Sequence, residues 1–422
     1  MRTMKLAGLA AGLSLALSAG AAAAGTAPGA DFPGPLDFAA VLAASPVPPA
    51  ARAEDAPVWV TVSDEDLKAL GPSSAFTVKK AAARGGLVSV FQLDPAELPA
   101  VSEAMHDKFH KCGGFFTHDS FEAAKAALLP APAPATRAYT LDRPEQVRGL
   151  LALAGEEELT RAVTALSAYK NRYYTSVTGI DASKWLQSYW KRLATGRSDI
   201  SVEPYRHAAW GQESVILTVQ GASEPGEIIV LGGHLDSIAR GGGDVAAPGA
   251  DDNASGVAAL SEAIRVIAAS GYRPARTLKF IAYAAEEVGL RGSQEIAAAY
   301  KRDGLKVTGV IQLDMTNYNG SDGDIFLVTD NTNAAQNAFL GALVRTYTDY
   351  RLGETRCGYA CSDHASWTRN GYAASFPFES RFGENNPYVH TAEDTLGRSG
   401  GNTRQALKFT RLALAYLVEM AK

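Results

Sequence analysis

The sequence predicts an α/β fold: a mostly parallel central sheet flanked by helices on both faces, preceded by a small α+β region. Runs such as "GEIIVLGG", "RTLKFIAYAA" and "VTGVIQL" are apolar along their whole length, which is typical of strands buried on both faces. Segments with apolar residues at helical spacing lie between these runs. The composition also changes near residue 136, where an Ala- and Pro-rich part of the chain ends.

The segments after residue 136 alternate in the order that such a sheet requires. Two helical segments and one strand come first: "EEELTRAVTALSAY", "DASKWLQSYWKRLATG" and "SVILTVQG". After "GEIIVLGG", the predicted helices are "NASGVAALSEAIRVIAAS", "SQEIAAAYKRDG", "AAQNAFLGALVRTYTDY" and "QALKFTRLALAYLVEMA". The remaining predicted strands are "RTLKFIAYAA", "VTGVIQL", "DIFLVTD" and "YAASFPFES".

The N-terminus, residues 1–24, matches a secretory signal peptide. Arg2 and Lys5 precede an apolar stretch from residue 6 to about residue 17, and small residues follow it. This stretch is shorter than the roughly 20 residues that a membrane-spanning helix needs. We therefore expect a secreted protein without a membrane anchor.

Residues 25–135 are predicted to form a pro-region that is removed after export, with the main domain at residues 136–422. The pro-region contains two segments that indicate a strand followed by a helix, "VWVTVSDEDLKAL" and "GLVSVFQLDPAEL". It ends in "LLPAPAPATRAY", whose alternating Pro and Ala favour an extended, exposed linker. A permanent N-terminal domain on a stiff tether is the alternative.

The overall composition is that of a globular protein, with 46% apolar and 20% charged residues. The net charge is −5, and the chain has no run rich in Lys or Arg, which argues against nucleic acid as a partner.

Acids and imidazoles follow three of the apolar strands. In open α/β sheets, ligands bind beyond the carboxyl ends of the strands, so these residues are expected at one edge. Two further acids precede a helix in "PGADDNASG", and a histidine lies in the loop "NPYVHTAEDT". The residues are His234 and Asp236, Glu286 and Glu287, Asp314, Asp251 and Asp252, and His390.

Each of these residues has a simpler interpretation when it is taken alone. Asp252 could cap the helix that follows it, and His390 could be a surface histidine. Together, however, the carboxylates need countercharge that few nearby Lys or Arg residues supply. Imidazole and carboxylate ligands suit zinc, and this set is too large for one tetrahedral ion. The pattern predicts two zinc ions that share a carboxylate and activate water.

Six motifs resemble the secreted bacterial leucyl aminopeptidases of the co-catalytic two-zinc family. They are "GGHLDS", "PGADDNASG", "AYAAEEVGLRGSQ", "QLDMTNY", "CGYACSDHASW" and "PFESRFGENNPYVHT". The resemblance implies a zinc-exopeptidase-like fold in which His234 and Asp314 hold one zinc ion, Glu287 and His390 hold the other, and Asp252 bridges them. It also implies Glu286 as the general acid/base, Asp236 as the residue that orients a ligand, and a cis bond after Asp252.

The resemblance extends to the site for the substrate's first side chain and to the cysteines. It implies an apolar pocket formed by Met315, Val328, Tyr359, Phe376, Phe378, Phe382 and Val389. Phe376 and Asn385 depart from the residues of the family. A short-loop disulfide is implied between Cys357 and Cys361, and Cys112 would have no partner after processing.

The sequence favours a zinc-dependent aminopeptidase that removes large apolar N-terminal residues from peptides with a free N-terminus. We expect the enzyme to be a monomer. A carboxypeptidase with the same fold and a non-catalytic binding protein are the main alternatives. A serine hydrolase is the weakest alternative. Its motif G-x-S-x-G occurs in "GRSGG", but the flanking sequence indicates a loop, not the strand and helix that this motif requires.

Overall fold

The computed structural model describes residues 56–63, 66–67, 80–85, 88–109, 113–129, 131–135 and 137–422. These residues belong to one compact unit, Ser45–Lys422. The predicted signal peptide, the first part of the predicted pro-region and Cys112 lie outside the described residues. Within the described ranges, no helix combines the length and the apolar character that a membrane span requires.

The described part of residues 56–126 forms a small α+β region, as predicted. Its antiparallel sheet has the order β2-β3-β1-β4. A helix, α1, follows β3 and lies before β4, and a second helix, α2, follows β4. The bounds are β1 Val58–Ser63, β2 Lys80–Gly85, β3 Val88–Leu93, α1 Leu98–Phe109, β4 Phe115–His118 and α2 Phe121–Ala126.

The central sheet has six strands in the order β12-β9-β7-β8-β6-β5. Strands β7, β8, β9 and β12 are parallel, whereas β5 and β6 extend the sheet in antiparallel fashion. The prediction of a mostly parallel sheet is therefore confirmed. The bounds are β5 Ile200–Tyr205, β6 Ser214–Val219, β7 Glu224–His234, β8 Arg276–Tyr283, β9 Lys306–Gln312 and β12 Ala374–Ser375.

Helices cover both faces of this sheet, which explains the continuous apolar character of its strands. Along β7, Ile229 and Leu231 pack on one face and Ile228 and Val230 on the other. All four are buried. The helices are α3 Pro144–Leu153, α4 Glu156–Ser167, α5 Val177–Leu193, α6 Gly256–Ser270, α7 Arg291–Arg302, α8 Ala334–Tyr347, α9 His364–Arg369 and α10 Arg404–Met420.

The segment "YAASFPFES" differs from the prediction of one strand. Its first part, β12, pairs with β9 in the central sheet. Its second part, β13 Pro377–Phe378, pairs with β10 Ile325–Val328 in a small sheet that β11 Leu352–Thr355 completes. Pro377 has no N–H to donate to a continued ladder, and the chain passes from one sheet to the other at this point. Helices α3 and α9 and strands β5 and β11 are additional to the elements predicted.

The α+β region shares a hydrophobic core with the rest of the molecule. Apolar residues of α1 and of strands β1, β3 and β4 cluster with Tyr173, Ile238 and Val288. Backbone contacts reinforce this junction, because the N–H of Thr117 donates to the carbonyl of Gly289 at 3.2 Å. The junction places α1 beside the edge of the sheet where the strands β7, β8 and β9 end.

Candidate metal centre and active site

The carboxyl edge of the central sheet brings together the histidines and acids that the sequence singles out. His234 ends β7, the two glutamates follow β8, Asp314 follows β9, and His390 comes from the loop before α10. Every one of these side chains is buried, together with Asp252 at the start of α6.

Asp252 lies between two imidazole and carboxylate pairs. Its Oδ1 is 3.0 Å from Nε2 of His234, and its Oδ2 is 3.4 Å from Nε2 of His390. Asp314 Oδ1 is 3.2 Å from the first imidazole, and Glu287 Oε2 is 2.8 Å from the second. Ligand atoms of His234, Asp252 and Glu287 all lie within 4.8 Å of one another. One carboxylate is thus shared by two adjacent sets of donors.

The backbone around the site adopts conformations that L-residues rarely take. The Asp252–Asn253 peptide bond is cis, and Ala285, Met315 and His390 have φ values of 57°, 51° and 57°. A positive φ is strained for residues with a side chain, and such residues cluster at functional sites. Each lies in the site itself or directly beside one of its acids.

Close packing holds the turn after Asp252. The side chain of Asn253 donates to the carbonyl of Leu313 at 2.9 Å and accepts from the N–H of Gly256 at 2.9 Å. A Cβ on Gly256 would lie 2.2 Å from the carbonyl oxygen of Leu313. Only glycine fits there, so α6 begins against the segment that carries Asp314.

Asp236 holds the backbone of the two glutamates. Its Oδ1 accepts from the N–H of Glu286 at 3.0 Å, and its Oδ2 accepts from the N–H of Glu287 at 3.1 Å. The sequence predicts that this carboxylate orients His234. In the structure Nδ1 of His234 lies 3.1 Å from the backbone carbonyl of Asp236 and 3.5 Å from its Oδ1. The carbonyl is thus the closer partner of the imidazole, and the carboxylate lies slightly farther away.

Burial shifts the pKa values of the acids in the site. Burial, with the charges of Asp363 and Glu287, raises the pKa of Glu286 well above its usual range, although His234 acts in the opposite direction. Burial and the charge of Asp252 raise the pKa of Glu287 to about 7. Burial acts against ionisation of Asp252 as well, but hydrogen bonds from the two imidazoles outweigh it and lower its pKa.

The donor set fits divalent zinc. Arg172 is a buried cation of this region, but its guanidinium donates to the backbone carbonyls of Leu166, Leu235, Pro248 and Gly249. In the described part of the structure, Glu287 Oε1 is buried and accepts no hydrogen bond. Buried carboxylates need paired charge or hydrogen bonds, and imidazole with carboxylate oxygen is a zinc ligand set. A bound metal would supply what the protein groups do not.

A further set of buried polar residues supports Asp252, and the sequence pattern did not predict this set. Asp394 accepts the N–H groups of Asp251 and Asp252 at 3.1 and 3.0 Å. The Asn386 amide donates to Asp251 and Asp394, and the Glu379 carboxylate accepts from the N–H of Asn386 at 3.1 Å. Asp394 lies four residues after His390 in the same motif, which was the available signal.

Ser362 is another residue of the site that the sequence did not predict. Its hydroxyl donates to Asp314 Oδ2 at 2.6 Å. This contact fixes the carboxylate so that Oδ1 faces His234. The serine stands in the quoted motif "CGYACSDHASW", but nothing in that pattern indicates its partner.

The residues of the predicted pocket form one apolar cluster. Met315, Val328, Tyr359, Phe376, Phe378 and Val389 are buried in contact with one another, and Phe382 packs at the edge. Their rings are arranged face to edge, with Phe376 and Phe378 centroids 5.4 Å apart. Cys357 and Cys361 form a disulfide and pack against the same cluster. Asn385 lies outside it and accepts from the N–H of Gly383.

The serine-hydrolase alternative finds no support in the geometry. The segment "GRSGG" is a run of turns between His390 and α10, without a preceding strand. A Ser–His–Glu arrangement does exist at Ser214, His207 and Glu295. Ser214 is buried, and its oxygen accepts from the N–H of Ala284 at 2.9 Å. The hydroxyl therefore holds the end of β8 and is not exposed to a substrate.

Comparisons with known proteins agree with this geometry. The sequence profile of peptidase family M28 matches residues 214–416. A probable leucine aminopeptidase of Trichophyton verrucosum is 33% identical over 342 residues, which are 78% of this chain and 91% of that protein. The chain belongs to peptidase family M28. It is a zinc-dependent aminopeptidase.

Further relatives extend the similarity across kingdoms. Leucine aminopeptidase 1 of Arthroderma otae is 34% identical over 349 residues, covering 79% of this chain and 92% of that protein. The crystal structure of Legionella pneumophila LapA aminopeptidase has a TM-score of 0.77 at 28% identity, covering 87% of this chain and 99% of that one. These sequence relatives are fungal, so they do not confirm the expected bacterial subfamily.

Proposed function

We propose that this aminopeptidase is secreted and removes large apolar, leucine-like residues from the N-terminus of peptides, with two zinc ions per chain. The observation that carries the proposal is the position of Asp252, whose two oxygens face two separate imidazole and carboxylate pairs. His234 and Asp314 would hold one ion, and Glu287 and His390 the other. The leucine aminopeptidase names of the relatives support the substrate class.

Glu286 is the general acid/base in this proposal. Zinc, when bound, supplies the positive charge that activates water and polarises the scissile carbonyl. Glu286 takes a proton from the attacking water and returns it to the leaving amine. The N–H of Glu286 donates to Asp236. The side chain of Glu286 is not part of the two imidazole and carboxylate pairs that flank Asp252. The two adjacent glutamates therefore have different roles: Glu287 binds zinc, and Glu286 transfers the proton.

Specificity for the first residue is assigned to the apolar cluster around Phe376 and Phe378. A leucine side chain buried there gains roughly 1.5–3 kcal/mol from burial. Phe376, which departs from the residue of the family, is a buried member of this cluster. Substrates with large apolar first residues are expected to be cleaved faster than those with charged ones.

The experiment compares three substrates on the trimmed enzyme: leucine anilide, a leucyl peptide and its N-acetylated form. Leucine should be the first product released, the acetylated peptide should resist, and a chelator should abolish turnover until zinc is returned. Release from the other end would indicate a carboxypeptidase. A protein that binds zinc but cleaves none of them would be a binding protein.

We propose further that the chain is a monomeric proenzyme with a signal peptide at 1–24, a pro-region at 25–135 and the catalytic domain at 136–422. The position of α1 beside the sheet edge supports an inhibitory pro-region. Limited proteolysis between residues 130 and 140 should raise the leucine anilide rate. Equal rates before and after cleavage would remove the inhibitory role and leave a role in folding.

A further inference from the structure

The last turn of α1 brings a histidine of the pro-region to the candidate metal centre. The His106 ring lies 4.7 Å from the His390 ring, centroid to centroid, at an interplanar angle of 41°. The charges of His390 and Asp252 both act on its imidazole. A cavity of about 10 Å³ lies between α1 and residues 238–240, with His106 and His390 in its wall, and is close to the volume for a single water. His106 therefore occupies the approach to the ligands that Asp252 joins.

The His106 side chain is partly buried, and one of its two ring nitrogens has no hydrogen-bond partner in the described ranges. Its Nδ1 is buried and makes no hydrogen bond to any residue of the described ranges. A buried polar atom left without a partner costs roughly 1–3 kcal/mol. An apolar side chain would fill the same space without this cost. The histidine is explained if a nitrogen of the ring binds something that the protein groups do not include.

Several contacts hold α1 in this position independently of His106. Leu98, Val101 and Met105, on the same helix, are buried in the core shared with Tyr173 and Ile238. Asp107, the next residue, forms an ion pair with Arg240 of the main domain. The helix is thus anchored on both sides of the turn that carries His106, and the ring is delivered to one place.

We propose that His106 is a metal ligand in the proenzyme and occupies the position that the mature enzyme leaves open for substrate. This inference rests on the proposed two-zinc function. Catalytic zinc sites have three protein ligands and one open position, and an imidazole that fills it excludes substrate and water. Removal of residues up to about 135 would withdraw the imidazole and open the site.

The rival explanation is that His106 only fills space against His390. Two substitutions in the full-length proenzyme separate the two cases. His106→Phe keeps a ring in contact with His390 but has no nitrogen to bind zinc, and His106→Ala removes both. Glu103→Gln, one turn earlier on the same helix beside the same space, is the matched control.

The first measurement is the rate of zinc loss from the proenzyme to excess EDTA, followed with a zinc indicator. If His106 is a ligand, both His106 variants should lose one zinc ion at least about tenfold faster than the wild type, and Glu103→Gln should not. The Co²⁺-substituted proenzyme should show a changed visible spectrum in both variants. A His106→Phe protein that matches the wild type in both readouts would overturn the proposal.

The second measurement uses only the wild type and remains decisive if a variant fails to fold. X-ray absorption at the zinc edge counts the imidazole ligands. The proenzyme should have three per two zinc ions, from His106, His234 and His390, and the trimmed enzyme should have two, from His234 and His390. An unchanged imidazole count on trimming overturns the inference. If the trimmed enzyme holds zinc and cleaves leucine anilide in that case, the proposed function stands and only the role of His106 fails.

Discussion

At the scale of single residues, the site depends on different environments for chemically similar acids. Burial alone would raise the pKa of Asp252, but hydrogen bonds from the two flanking imidazoles outweigh burial and lower it. Burial and neighbouring acids raise the pKa of Glu286. Asp236 uses both oxygens to accept the backbone N–H groups of the two glutamates, so it positions them. The position of each carboxylate therefore decides its task.

The two glutamates provide the prediction at this scale. Glu287→Gln should weaken zinc binding at one site, because it removes a charged ligand. Glu286→Gln should keep both ions and lose about 10²–10⁴-fold in turnover, since it removes only the proton acceptor. Zinc per chain and leucine anilide turnover are measured for both trimmed variants.

Excess zinc is the control for this pair of variants. It should partly restore Glu287→Gln and leave Glu286→Gln unchanged. Metal loss from Glu286→Gln alone would mean that the two roles are reversed. If turnover stays near the wild-type rate in both variants, the reaction takes place elsewhere.

At the scale of secondary-structure elements, the ends of strands and helices position the site. Ser214 on β6 holds the end of β8 through Ala284, two residues before Glu286. The short helix α9 begins at His364, which is buried and stacks at 4.9 Å on Phe376. An apolar environment around an imidazole makes the element sensitive to acid.

His364 predicts how the stability of the trimmed enzyme depends on pH. Burial lowers the pKa of His364 to about 3, while an unfolded histidine titrates near 6.5. Between these values the unfolded chain binds a proton that the folded chain does not, so stability is lost as pH falls below about 6.5. The contribution amounts to about 2 kcal/mol between pH 7.5 and 5.

The substitution His364→Leu should remove this contribution, because leucine has a similar volume and does not titrate. Urea unfolding of the trimmed enzyme at pH 7.5 and pH 5 gives the difference. Trimming removes His118, whose pKa burial also lowers to about 3. The variant should lose less stability than the wild type on acidification. Equal losses in both proteins would show that His364 is protonated in the folded state.

At the scale of the whole molecule, the α+β region and the main domain share one buried core. Beyond the apolar cluster, Arg369 of α9 donates to the carbonyl of Ala127 at 2.6 Å and stacks 4.3 Å from the centroid of the Phe116 ring. A mostly buried guanidinium at this junction holds both β4 and the end of α2. If this region is released as proposed, its release therefore requires more than cleavage of the linker.

Arg369→Ala should loosen this junction by about 1.5–3 kcal/mol, the usual contribution of a hydrogen bond from a charged group. We expect faster cleavage of the full-length protein between residues 130 and 140, with an unchanged kcat of the trimmed enzyme. Arg302→Ala, whose side chain is exposed and pairs with Asp303, is the matched control. Cleavage at the wild-type rate would show that Arg369 does not hold the junction.

The sequence by itself determined the α/β class and the order of the acids and imidazoles. Parallel strands place their carboxyl ends at one edge, so residues after apolar runs could be grouped without coordinates. It also predicted the small α+β region and most helices, because hydrophobic periodicity is local information. The division of "YAASFPFES" into β12 and β13 was not predicted, since two-residue strands take their places from partners distant in the chain.

Only the tertiary structure decided which atoms meet. The pairing of Asp252 with two imidazoles, the support from Asp394, the backbone role of Asp236 and the approach of His106 to His390 all join segments far apart in sequence. Such contacts follow from how helices pack on the sheet and where α1 is anchored. Local pattern carries no distance between these segments, so it indicated the chemistry of the acids but not their partners. The pairing around Asp252 was expected only from the family resemblance.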